Sequence, residues 1–142
     1  MPLLIVRHAR AGKRWEWEGD DRERPLDKKG RRQADGLLEQ LAPYSVERIV
    51  SSPFLRCTQT VAPLGRKLGV PIENRPELEE GASRRETLAL LRELGDAAVL
   101  CTHGDVLENL FGEAGRKAST RVVDLQDGEP VLREYLEPPD SD

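Results

Sequence analysis

Cysteine is scarce in this 142-residue sequence: only Cys57 and Cys101 occur, far apart and without metal-ligand spacing. That excludes a zinc-type cysteine cluster and a disulfide-dense scaffold, and it fits a reduced, cytoplasmic setting. Long apolar runs are missing as well. None approaches the roughly 20 residues of a membrane span, and Met1-Pro2-Leu3 carries no basic segment ahead of its short apolar stretch, as a signal peptide would. No membrane role is therefore expected. There is no internal repeat and no linker long enough to divide the chain, so one domain is expected. Histidine is also rare, with His8 and His103 the only two. Two histidines without matching ligand spacing make a poor metal site, and no Gly-Lys-Ser/Thr loop with flanking carboxylates is present. Neither a metal nor another cofactor is expected.

What remains is polar without being disordered: 37% hydrophobic and 34% charged residues. The net charge of −4 conceals an asymmetry. Residues 7–32 hold 10 Lys/Arg against 6 Asp/Glu, a local +4, while the rest holds 12 against 20, or −8. A basic patch on an acidic body suits a compact anion and argues against a nucleic-acid polymer as partner.

The stretch Leu3-Leu4-Ile5-Val6-Arg7-His8-Ala9-Arg10 reads as a buried strand ending in two chemically capable side chains. Ala9 to Pro25 is a charged loop holding both tryptophans. Trp15 and Trp17 either line a substrate mouth or pack on the base of their own loop. Asp27 caps a helix with Ala34, Leu37, Leu38 and Leu41 at helical spacing, ending near Pro43. Arg48 to Ser52 is a second strand. Ser52-Pro53 then reads as cap and first turn of a helix that Pro63 kinks or interrupts. Val70 to Asn74 is a short strand, followed by a loop with Glu77, Glu79 and Glu80. Ser83-Arg84-Arg85-Glu86 is a capping box before a Leu-faced helix closed by Gly95. Ala97 to Cys101 is the next strand and leads into Thr102-His103-Gly104-Asp105, with a helix over Val106 to Phe111. Asp127-Gly128 marks a hairpin between Val122-Val123 and Val131-Leu132. Glu137 to Asp142 reads as a frayed tail.

Strands alternating with helices predict an α/β fold, three layers deep, with a mostly parallel central sheet. Both histidines follow apolar strand runs. Strand ends of such a sheet share one edge, so His8 and His103 meet there, with Arg7 and Arg56 in reach of the same crevice.

These pieces, taken in order, resemble the histidine phosphatase (phosphoglycerate-mutase-like) superfamily. The matching residues are Leu4-Ile5-Val6-Arg7-His8-Ala9, Arg24-Pro25-Leu26 with Gly30 and Gln33-Ala34, then Ser51-Ser52-Pro53 with Arg56-Cys57-Thr58-Gln59-Thr60, and Thr102-His103-Gly104. The small size and Arg-His-Ala opening look most like SixA-type phosphohistidine phosphatases. Gly19-Asp20-Asp21 and Arg24-Pro25-Leu26 also resemble the phosphatase module of bacterial Nudix–phosphatase fusions, although no Nudix box is present.

One domain is expected over residues 1–137, with 138–142 as a disordered tail, and the resemblance implies a phosphoglycerate-mutase-like fold. It implies a phosphatase with His8 as nucleophile, Arg7, Arg56 and His103 holding the phosphoryl group, and no metal. It places the general acid at Glu80 in preference to Glu79, with Asp105 as rival. Ser52 and Thr60 stand near the pocket, although capping accounts for Ser52. The substrate is expected to be a phosphorylated molecule: phosphohistidine on a protein first, a nucleotide or small phosphoester as alternative. A non-catalytic phosphate-binding module is the reading from a different class, and an intact Arg7, His8, Arg56 and His103 set argues against it.

Overall fold

The structure, a computed structural model, describes residues 1–139. Strand β1 (Leu3–Arg7) begins with four residues at 1% exposure or less, as a strand covered on both faces requires. With β2 (Arg48–Ser51), β3 (Ile72–Asn74), β4 (Ala98–Thr102), β5 (Thr120–Gln126) and β6 (Glu129–Leu136) it forms one sheet in the order β3-β2-β4-β1-β5-β6. The first four strands of that order run parallel; β5 is antiparallel to β1, and β6 to β5. Asp127 and Gly128 turn the final hairpin at φ 54° and 77°, the left-handed pair that such a two-residue turn needs.

Alternation along β1 decides the layers. Leu3 and Ile5 face a core built with Leu88, Leu91, Val106 and Leu107 from helices α3 (Arg84–Leu94) and α4 (Gly104–Phe111). Leu4 and Val6 face the other core, with Leu37 and Leu41 of α1 (Lys28–Leu41) and Cys57, Val61 and Leu64 of α2 (Leu55–Leu68). The result is the expected three-layer α/β/α architecture with a mostly parallel sheet. Among the described residues no helix is long and apolar enough to cross a membrane.

Local signals set most helix ends. Asp27 caps α1 by accepting from the Gly30 N–H at 2.8 Å. A Cβ on Gly30 would fall 1.9 Å from the Arg10 carbonyl oxygen, so only glycine lets α1 approach the segment after β1 this closely. Ser83 and Glu86 form the capping box of α3.

Three expectations are corrected. Ser52-Pro53 does not open α2. The helix starts at Leu55 with Phe54 as an N-cap that offers no side-chain bond, leaving the Ser52 hydroxyl for other work. Pro63 does not interrupt α2 either. One lost backbone bond costs about 3 kcal/mol, and the burial of Cys57, Val61 and Leu64 on either side of it outweighs that. The chain also does not leave the body at Glu137, because the Glu137 carbonyl accepts from Gln40 at 2.8 Å, Pro138 is buried and Pro139 lies against Gly36. Residues 140–142, the rest of the expected tail, lie outside the described residues.

Candidate active site

Sheet register makes the site. Arg7 stands opposite Thr102, and the His8 N–H donates to the Thr102 carbonyl at 3.0 Å, so His8 and His103 leave neighbouring strands side by side. Their ring centroids are 5.4 Å apart, edge to face. The Ser52 N–H donates to the Cys101 carbonyl at 3.0 Å and brings β2 to the same edge. The loop after β1 is braced by the residues that carried the resemblance. Arg24 donates to the Ala11 carbonyl at 2.6 Å, the Leu26 N–H to Gln59 at 2.8 Å, and the Arg10 N–H to Gln33 at 3.0 Å. Thr60 accepts from the Ala9 N–H at 2.9 Å and donates to the Arg56 carbonyl at 2.7 Å, tying this loop to α2.

His8 is held in one chemical state. Its Nδ1 lies 2.8 Å from the Ala9 carbonyl, which can only accept, so the hydrogen sits on Nδ1 and Nε2 keeps its lone pair. Burial pushes the imidazole well below its ordinary value of 6.5. The charges of His103, Arg56 and Arg7 add to this, and only the Ala9 bond opposes it. The ring therefore stays neutral as pH falls through the usual histidine range. We expect kcat/KM, measured with a phosphodonor that does not itself titrate there, to persist below pH 6.5. An acid limb at or above the ordinary histidine value would contradict this state of His8.

A cavity of about 590 Å³ opens over His8, and Arg7, His103 and Glu80 line it. Arg7 donates to the Gly115 carbonyl at 2.6 Å, while its buried Nε has no partner among the described residues. Such a donor costs about 1–3 kcal/mol when left unmade, which points to an occupant. A Cβ on Gly104 would come within 2.9 Å of the Arg7 guanidinium, so glycine allows the start of α4 to sit directly on that charge. Lys117 lines the same cavity; burial and then Arg7 lower its pKa, as burial also does for Arg7 itself. Concentrated, partly desolvated positive charge of this kind suits an anion.

Arg56 stands behind this wall rather than in it. It is fully buried, donates to the Asp21 carbonyl at 2.8 Å, and pairs with the Asp21 and Glu80 carboxylates at 3.1 and 3.3 Å. Its Nε, like that of Arg7, has no partner among the described residues. Glu80 accepts from Arg14 at 2.6 Å as well, so both its oxygens are engaged by guanidinium groups. Glu79 points elsewhere, paired with Arg22 at 2.9 Å. Asp105 lines the cavity and accepts from the Gly81 N–H at 2.7 Å. Trp15 lines the cavity and is 80% exposed, whereas Trp17 turns into its own loop and donates to the Asp20 carbonyl at 2.9 Å. Among the described residues no three His, Cys, Asp or Glu side chains converge as a metal site requires.

Sequence reasoning missed Lys117 and the Arg14 and Asp21 contacts. Lys117 had no periodic or motif signal. It is placed by Ala118, which adopts φ 67° and donates its N–H to the Arg7 and His8 carbonyls at 3.1 and 3.2 Å.

The model of the histidine phosphatase superfamily (branch 1) matches residues 3–123. A curated relative, the 8-oxo-(d)GTP phosphatase of Mycolicibacterium smegmatis, is 38% identical over 97% of this chain. The chain spans about half that relative's length, 48%. Among solved structures, the protein histidine phosphatase SixA complexed with tungstate superposes with a TM-score of 0.81 at 27% identity, covering 98% of this chain and 97% of that one. A second structure that carries the SixA name, from Agrobacterium tumefaciens, gives 0.77 at 25% identity, covering 96% and 97%.

Proposed function

Because the chain belongs to the histidine phosphatase superfamily, we propose that it hydrolyses a phosphorylated substrate through a phosphohistidine on His8. The state of His8 carries this reading: neutral, fixed by Ala9, with the Nε2 lone pair free. Nε2 attacks phosphorus, the bond to the leaving oxygen or nitrogen breaks, and the leaving group takes the electron pair. Water then attacks the phosphohistidine and the P–N bond returns its pair to Nε2. Splitting the transfer in this way replaces one difficult step with two easier ones. Arg7 and His103 neutralise the equatorial oxygens, where the charge of the transition state resides, and Arg56 joins them once substrate draws it from Asp21 and Glu80. Glu80 serves as the acid only if its carboxylate gives up an arginine, and Asp105 is the other cavity carboxylate.

The substrate that the cavity fits best is a nucleotide with a terminal phosphoanhydride. Lys13, Arg14 and Lys117 line the cavity beyond the groups that one phosphoryl needs, and Trp15 offers an aromatic face at its mouth. The 38% identical nucleotide phosphatase supports this. A second reading, phosphohistidine on a protein, is supported by the whole-length likeness to SixA. Either leaving group departs with little help from an acid.

Phosphate release from nucleoside di- and triphosphates, a phosphohistidine peptide and acetyl phosphate tests both. We expect nucleotide turnover, and Trp15→Ala to raise KM for nucleotides by about 10-fold, the worth of one base stack, while acetyl phosphate turnover is unchanged. Faster release from the phosphohistidine peptide, insensitive to Trp15, selects the second reading. No release from any donor would sink both and leave a phosphate-binding module.

A further inference from the structure

We propose that Ser52 is a positioning residue that fixes the tautomer of His103, so that Nδ1 carries the hydrogen offered to the phosphoryl group. Only its catalytic consequence rests on the proposed function; the tautomer itself belongs to the resting protein.

Ser52 is fully buried, and its backbone is locked to β4 through the Cys101 carbonyl. Its Oγ accepts from the Phe54 N–H at 3.2 Å, so the hydroxyl hydrogen must go elsewhere. The Ser52 carbonyl already accepts from Ser51 at 2.8 Å. The acceptor in reach is His103 Nε2, 2.9 Å from Oγ. A buried hydroxyl that donates to Nε2 requires the lone pair there, and a neutral imidazole then bears its hydrogen on Nδ1. That atom is buried and has no partner among the described residues. The ring cannot easily turn over, because Phe54 meets it edge-on at 4.8 Å and His8 at 5.4 Å.

The competing arrangement puts the hydrogen on Nε2, which then donates to Ser52 Oγ at 2.9 Å or to Cys57 Sγ at 3.5 Å. It leaves the Ser52 hydrogen without an acceptor and turns a bare Nδ1 lone pair toward the phosphate oxygens. A buried hydroxyl hydrogen left without an acceptor is costly, and that cost selects the tautomer with the hydrogen on Nδ1. This explains why the serine that precedes Pro53 is not spent on capping α2.

Long-range ¹⁵N–¹H correlation of the histidine rings in the full chain, at mildly alkaline pH, reads the tautomer directly, and a His8→Asn sample assigns the two rings. The wild type is expected to show a protonated Nδ1 and a bare Nε2 on His103. Ser52→Ala should shift the hydrogen toward Nε2 and lower kcat by about 10²-fold with little change in KM. Ser52→Thr, which keeps the hydroxyl, should restore both, and Cys57→Ala should leave the tautomer as it was. A wild-type His103 protonated on Nε2 overturns the proposal, as does a tautomer that follows Cys57 and ignores Ser52. If no donor is turned over, the phosphatase reading fails while the spectra still decide this one.

Discussion

Replacing His8 by alanine is expected to abolish the covalent phosphoryl adduct and to lower kcat by on the order of 10⁴-fold or more. His103 cannot take over the attack: its Nε2 is occupied by Ser52 at 2.9 Å, and its position just after β4, at the cap of α4, serves the oxygens rather than phosphorus. Water attacking directly would meet the full barrier in one step. The measurement is intact-protein mass after brief exposure to a reactive phosphodonor, followed by acid. Wild type should gain one acid-labile phosphoryl group and His8→Ala none. An adduct that survives in the variant would move the nucleophile elsewhere. No adduct on wild type, with phosphate nevertheless released, would remove the covalent route. Folding of the variant has its own control. Burial holds the folded His8 below its unfolded value, so unfolding takes up a proton at this ring. Wild type therefore loses stability as pH falls through about 6.5, and His8→Ala should lose that component of the acid sensitivity.

Much of this could be read from residue order because local and global demands agree. The apolar run before Arg7 admits little but a buried strand, the Asp27 and Ser83 caps set helix starts by chemistry within one turn, and Asp127-Gly128 has the turn residues its φ values require. The meeting of His8 with His103 was legible for a topological reason, since parallel strands end on one edge. The failures have the opposite cause, tertiary contacts overriding a local rule. Ser52 looked like a cap but answers to a histidine 51 positions away. Pro63 looked like a break but sits in a helix whose flanking residues are committed to the core. Lys117 reaches the cavity only because Ala118 accepts a left-handed conformation to satisfy the Arg7 and His8 carbonyls, a cost of order 1–3 kcal/mol that no sequence pattern records.

Arg56 is where rate and stability separate. Arg56→Met is expected to lower kcat by on the order of 10³-fold, as the loss of a charged fork on a transferring phosphoryl group does. The structure gives this a definite form. Both Nη atoms of Arg56 already donate to Asp21 or Glu80, and its buried Nε has no partner among the described residues, so substrate must recruit Arg56 in competition with two carboxylates. Burial raises the Asp21 carboxyl, but Arg24, Arg56 and Arg14 outweigh it and hold it below its ordinary value, and Glu80 keeps Arg14. Neither acid is orphaned by the substitution. The stability cost is then roughly 1–3 kcal/mol, a fall in Tm on the order of 5 °C, instead of the larger loss that follows when a buried charge is stranded. Arg56→Lys should recover part of the stability without the rate, since an ammonium supplies the charge but not the planar fork. Thermal unfolding and single-turnover rates on the same samples give both quantities. If kcat survives in Arg56→Met while Tm falls, Arg56 only holds Asp21 and Glu80 in place, and Arg7 with His103 carries the phosphoryl charge.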